Sequence, residues 1–138
     1  LIVDDNADSA EMVAQMLLAM SPTFVSRKAC LAKEALIVLD QYPIGAIILD
    51  VRLPDMGGIA LVQEIRAQER FAYLPIVLVS AHQTLDFMTP VISSDRILLL
   101  QFGELEANRV ATYVEALINV TVSTALPNGQ KKKKSPNI

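Results

Sequence analysis

Four side chains in this sequence have types and positions that suit joint chemistry: Asp4 and Asp5 in "LIVDD", Asp50 in "IGAIILD", and Ser80 in "LPIVLVS". Each follows an apolar run of the kind that forms a buried strand. Aspartates at the ends of such runs either hang in water or hold something positive. Three carboxylates in one crevice raise each other's pKa unless a cation neutralises them. Hard oxygen ligands suit Mg²⁺, which takes one or two carboxylates, keeps several waters and completes its shell with phosphate oxygens. A third carboxylate beside that metal is a competent nucleophile toward phosphorus, giving an aspartyl phosphate. The metal would then offset charge on the transferring group, and a strand-end hydroxyl such as Ser80 could donate to a phosphoryl oxygen. The plain alternative is surface aspartates at loop starts, where Asp is common. It suffices for Asp50 alone and poorly explains the four together.

The elements that must position these residues are legible as alternating periods. "LIV" (1–3) precedes a helix-period segment, "SAEMVAQMLLAM" (9–20), whose stripe of Met12, Val13, Met16, Leu17 and Met20 is expected to pack in the core. "FVSRKA" (24–29) reads as a strand, "LAKEALIVLDQ" (31–41) as a helix and "IGAIILD" (44–50) as a strand. "VRLPDMGG" (51–58) is loop chemistry, followed by helical "IALVQEIRAQE" (59–69) and strand "LPIVLVS" (74–80). "HQTLDFMTP" (82–90) is a weak helix stopped by Pro90, with His82, the only histidine, read as a polar opening residue. "RILLLQ" (96–101) is a fifth strand and "ELEANRVATYVEALINV" (104–120) a closing helix. Five strands alternating with five helices predict an α/β fold: a doubly wound five-stranded parallel sheet with right-handed crossovers. In such a sheet ligands bind outside the carboxyl ends of the strands. A 2-1-3-4-5 order would bring the aspartates of strands one and three together.

Composition narrows the function. At 138 residues the chain holds one domain with a real core. We expect the domain over 1–121 and a linker or flexible tail over 122–138. No apolar run approaches the roughly 18 residues of a membrane helix, and no secretory signal is visible. The single cysteine, Cys30, permits neither an intrachain disulfide nor a thiolate cluster and is read as a packing residue. This usage fits a cytoplasmic protein. All four lysines of "KKKK" lie at 131–134, so residues 1–130 hold 8 of the 12 Lys+Arg against all 15 Asp+Glu, a balance of −7. An acidic body argues against direct nucleic-acid binding by the folded part, and the lysine run is read as a solvated chain end.

The sequence resembles the receiver domain of two-component response regulators, through "LIVDD", "ACLAKEAL", "IILDVRLPDMGG" and "IVLVSA", at nearly standard spacing over about residues 1–120. The resemblance implies a flavodoxin-like receiver fold. It implies Asp50 as phosphoacceptor, Asp4 and Asp5 as the acidic pair at a Mg²⁺ site, and the backbone carbonyl of Arg52 in the metal shell. Ser80 matches the switch hydroxyl, Ala81 the small residue after it, and Pro54 and Gly58 the turn into the third helix. The expected partners are a histidine kinase or phosphotransfer protein and a downstream output domain or protein, with a homodimer possible. The fifth strand departs from the pattern. Gln101 stands at the usual lysine, Phe102 at the proline and Leu98 at the aromatic position, and no lysine lies between Lys33 and the tail. A neutral donor is roughly half as strong as a charged one. The alternative function is therefore an atypical receiver, acting as a phosphorylation-independent interaction module. The receiver reading is that of a signalling phosphoacceptor, not an enzyme, and an enzyme or cofactor binder on a similar sheet fits less well. "DDNAD" would repel a bare phosphate where a flavin site wants a glycine- or hydroxyl-rich loop, and Arg52 occupies the place an aspartate-nucleophile phosphatase gives to a general acid.

Overall fold

The strands send their apolar side chains alternately to two faces, and helices cover both. A computed structural model describes residues 1–80, 96–101 and 112–119. Its elements are β1 (Ile2–Val3), α1 (Ala7–Met20), β2 (Lys28–Ala29), α2 (Ala32–Gln41), β3 (Ile47–Asp50), α3 (Gly58–Arg66), a 3₁₀ turn (Glu69–Phe71), β4 (Ile76–Ser80) and β5 (Ile97–Gln101), with a further helix at 112–119. All strand pairs are parallel and the order is β2-β1-β3-β4-β5. The expected doubly wound sheet is therefore observed. The expected fourth helix (82–90), including His82, lies outside the described residues, as do Ala81, Phe102 and the 122–138 tail.

On one face Val3, Ile47, Leu49, Ile76 and Leu78 meet Ala32, Ala35 and Leu39 of α2 and Leu61, Val62 and Ile65 of α3. On the other, Ile2, Ile48 and Val77 meet Ala10, Val13 and Leu17 of α1 and Val114 of the last helix. Period-two alternation makes this division, because neighbouring residues of one strand point to opposite faces. Both faces are covered, so the strands read as continuous apolar runs.

Several features differ from expectation. The strand expected at 24–29 shrinks to Lys28–Ala29. It pairs only with the two-residue β1, so there is no ladder to extend, and Val25 is 86% exposed. The third helix stops at Arg66, where Gln68 N donates to Ile65 O and the chain tightens into the 3₁₀ turn, with Arg66 Nη1 donating to Phe71 O. The methionine stripe is not core: Met12 is 47% and Met20 38% exposed, and the buried stripe of α1 is Ala10, Val13 and Leu17. Cys30, expected to pack, is exposed.

The start of α2 depends on a residue 23 positions away. The preceding Leu31 has no side-chain acceptor, yet the first backbone N–H groups of a helix need partners. Ala32 N donates to Asp55 Oδ1 (2.9 Å) and Lys33 N to Asp55 Oδ2 (3.0 Å), while Cys30 N and Leu31 N donate to Glu34 Oε1 (2.7 and 3.1 Å). Two carboxylates thus satisfy four donors at the positive end of the helix dipole. Desolvation pushes the Asp55 carboxyl up. The N–H groups of Ala32, Lys33, Met56 and Asp55 itself outweigh it and hold the group below its ordinary value. A lowered pKa means that Asp55 stabilises the fold above its unfolded pKa and loses that contribution as pH falls through the folded one. Asp55→Ala should lower the melting temperature at neutral pH. The difference from wild type should shrink in acid, which melts at neutral and acid pH would check.

Candidate functional site

β1 and β3 lie side by side in a register that pairs Val3 with Leu49. The next residue along each strand is Asp4 and Asp50, so adjacent carboxylates leave the carboxyl edge of the sheet together. Asp5 follows in the turn before α1. One carboxylate oxygen from each of Asp4, Asp5 and Asp50 lies within 4.8 Å of the others. Asp4 and Asp50 are half-buried and Asp5 is exposed.

Backbone bonds of the same form hold the two half-buried groups. Asn6 N donates to Asp4 Oδ1 (2.9 Å) and Arg52 N to Asp50 Oδ1 (3.0 Å), each from two residues ahead, as in an Asx turn. The first of these turns runs into α1, whose N-cap is Asn6: its Oδ1 accepts from Ser9 N at 3.0 Å. The second runs through "VRLPDMGG" to α3. There Gly58 N donates to Val51 O at 2.7 Å, closing the loop onto the end of β3.

The carboxylates line a cleft of 360 Å³ together with Asn6, Ser9, Met12, Val13, Arg52 and Val79. Desolvation raises the pKa of Asp50, and the neighbouring charges of Asp4 and Asp5 raise it further. The Arg52 N–H and the Arg52 charge pull the other way. Asp4 is raised by desolvation and by Asp5, against its bond from Asn6. A cluster of clustered oxygen ligands that disfavours its own ionisation is complementary to a hard divalent cation, and Mg²⁺ suits carboxylate and carbonyl ligands of this kind. Among the described residues, Asp4, Asp5 and Asp50 are the group whose carboxylates could hold such an ion.

Ser80 ends β4, the strand beside β3. It sits one residue past Val79, the register partner of Asp50, and is 2% exposed. It is not among the residues lining the cleft. Gln101 ends β5 in register with Ser80. Leu98, at the position where an aromatic was expected, packs half-buried against the α1 side of the core. Met12 and Asn6 are site residues that the sequence reading did not single out. Asn6 carried a signal, since a residue with a side-chain acceptor just before a helix is a ready N-cap. Met12 had none, because its stripe read as core.

The model of the response regulator receiver domain matches residues 1–97. The chain belongs to that family. Its relatives include the response regulator protein PilR of Pseudomonas aeruginosa, 37% identical over 86 residues (62% of this chain, 18% of PilR). Another is the regulatory protein VanR of Enterococcus faecium, 33% identical over 84 residues (61% of this chain, 34% of VanR). Among solved structures, the receiver domain of NtrX from Brucella abortus superposes with a TM-score of 0.74 at 25% identity, covering 86% of this chain and 96% of that one. The receiver therefore spans 18% of PilR and 34% of VanR, and those proteins contain much besides what is matched here. This chain is a receiver domain of two-component signalling, a family of signalling phosphoacceptors with a metal-binding acidic pocket. Among the described residues, no helix is long and apolar enough to cross a membrane.

Proposed function

We propose that this receiver takes a phosphoryl group from a phosphohistidine, on a histidine kinase or phosphotransfer protein, onto Asp50. The product then shifts a partner-binding surface between two populated states. The observation that supports this best is the convergence of Asp4, Asp5 and Asp50 within 4.8 Å, with Asp50 Oδ1 held by Arg52 N–H. In the transfer, the second Asp50 oxygen forms the O–P bond while the N–P bond of the donor breaks. The imidazole nitrogen leaves with the electron pair and is protonated. Asp4, Asp5, Asp50 and the Arg52 carbonyl would hold Mg²⁺, which when bound would offset charge on the transferring group. The backbone turn at Arg52 fixes the orientation of the nucleophile, and the Ser80 hydroxyl, buried beside the cleft, must turn toward Asp50 to donate to a phosphoryl oxygen. Location in the cytoplasm and an output domain or partner protein belong to the same reading.

Gln101 and Leu98 favour a second reading, an interaction module that works without phosphorylation. Intact mass after incubation with a small-molecule phosphodonor separates the two. A phosphoryl adduct that requires both Mg²⁺ and Asp50, and is absent from Asp50→Asn, supports the phosphoacceptor. No adduct on protein shown to bind Mg²⁺ would leave the interaction module.

A further inference from the structure

The end of the sheet opposite the aspartates carries apolar side chains at its surface. Val25 is 86%, Tyr73 62% and Tyr42 39% exposed. All three stand in the segments that lead into the strands, where Phe24, Ile44, Phe71 and Leu74 are only half-buried. Two hollows, of about 180 and 390 Å³, open there. They share Pro43, Ile44, Gly45 and Ile118, so they adjoin as one groove beneath β2, β1, β3 and β4. A contiguous exposed patch of this kind marks an interaction surface.

We propose that this groove is the docking site of the chain's own C-terminal segment, residues 120–127, with Leu126 and Pro127 seated in the larger hollow. Ile118 lines both hollows and belongs to the last helix, which is described to residue 119. The residues that follow therefore start beside the groove. They read "VTVSTALP", with Val120, Val122, Thr124 and Leu126 at period two, the pattern of an extended segment with one face to bury. The groove crosses from β4 to β2, three strand spacings or about 14 Å. Eight extended residues reach about 26 Å, enough for Pro127 to meet the far wall of either hollow. The larger one is walled by Tyr42, Phe71 and Tyr73, and proline segments dock on aromatic-lined grooves.

The competing occupants are a second copy of the chain and another protein. A segment tethered within a few residues of its site meets it at an effective concentration in the millimolar range, which a dilute free partner does not match. Charge at the groove itself is nearly balanced: Glu69 and Asp40 stand against Arg70, paired with Asp40 at 2.8 Å, and Arg27, stacked on Tyr42. Seating is therefore an apolar matter. The lysine run at 131–134 begins four residues after Pro127, and residues 1–130 carry a balance of −7, so long-range attraction draws the tail toward the domain. The groove lies at the far end of the strands from the Asp4–Asp5–Asp50 cleft, so docking covers a surface without touching the acidic site.

The test uses the full chain, in which Cys30 is exposed and is the only cysteine. Cys30→Ser combined with Gln130→Cys places a nitroxide spin label three residues past Pro127. Amide NMR spectra of the isotope-labelled protein are compared with the nitroxide active and reduced. The amides of Tyr42, Ile44, Gly45, Tyr73 and Leu74 should lose most of their intensity, while those of Asp4, Asp5 and Asn6 at the opposite end keep theirs. Leu126→Asp in the tail should restore the lost signals. Tyr73→Ser should do the same from the groove side, at a position exposed enough to leave the fold intact. Spin-labelled chains mixed with isotope-labelled chains that carry no nitroxide separate contact within a chain from contact between chains. No loss at the groove amides, loss centred on the acidic cleft, or loss that survives Leu126→Asp would overturn the proposal. Equal loss in the mixed sample would overturn it in favour of a second copy.

Discussion

Gly58→Ala should destabilise the domain by about 3 kcal/mol or more, at the upper end of what overpacking costs, and weaken metal binding with it. A Cβ on Gly58 would sit 2.6 Å from the carbonyl oxygen of Asp50, 2.7 Å from Val51 Cα and 3.0 Å from Val51 O. All three are backbone atoms, so no rotamer change relieves the clash. Relief requires the first turn of α3 to move away from the end of β3. That movement would break the 2.7 Å bond from Gly58 N to Val51 O and disturb the turn whose next N–H, from Arg52, holds Asp50.

The adjacent Gly57 makes the comparison. Its φ of +84° is strained for other residues, but a Cβ there meets nothing within 4 Å. Gly57→Ala should therefore cost about 1–3 kcal/mol through the backbone alone and leave Mg²⁺ affinity close to wild type. Urea denaturation with parallel Mg²⁺ titration checks both. Equal effects of the two substitutions on metal affinity would show that close approach at Gly58 does not position Asp50.

The fold was legible because its strands are short continuous apolar runs, and because the helices between them carry a 3.6-residue period. What the sequence hid were features set by partners far along the chain. The length of β2 follows from the two-residue β1 beside it, which no local pattern in "FVSRKA" reveals. The Asp55 cap on α2 crosses 23 residues. The only hint was negative: a helix opening "CLAKE" has no capping side chain before it and must find one elsewhere. For the site, the aspartates were legible from where they fall on their strands. The roles of the side chains around them were less so. Arg52 entered through its backbone carbonyl alone, whereas the fold places the residue in the lining of the acidic cleft. The stripe expected on α1 holds at Val13 and Leu17 and fails at Met12 and Met20; Met12 and Val13 are neighbours in sequence. They lie about 100° apart on the helix, enough to put one in the core and the other at the rim of the cleft.

Asp50→Asn should be more stable than wild type without metal and less stable with it. In metal-free buffer at neutral pH, the substitution removes one of three mutually repelling, partly desolvated charges. The gain should be about 0.5–1 kcal/mol, given solvent screening at a half-exposed site. Mg²⁺ at a hundred times its dissociation constant should stabilise wild type by about 2.7 kcal/mol and Asp50→Asn by much less, which reverses the order. The pH dependence carries the same logic. The folded pKa values of Asp4 and Asp50 are raised, so between the unfolded and folded values the native state holds more protons than the unfolded one. Stability contributed by these two groups therefore falls as pH rises through that window and recovers as it drops. Mg²⁺ binds the deprotonated carboxylates, so the stabilisation it adds must instead grow as pH rises. Asp55 and Glu11, whose values are lowered, lose their contribution only in acid, and Asp50→Asn leaves both in place. Thermal melts of the two proteins across pH, with Mg²⁺ or with chelator, would expose the crossing. The same gain from Mg²⁺ in both proteins would mean that the ion stabilises this domain from somewhere other than the Asp4–Asp5–Asp50 cluster.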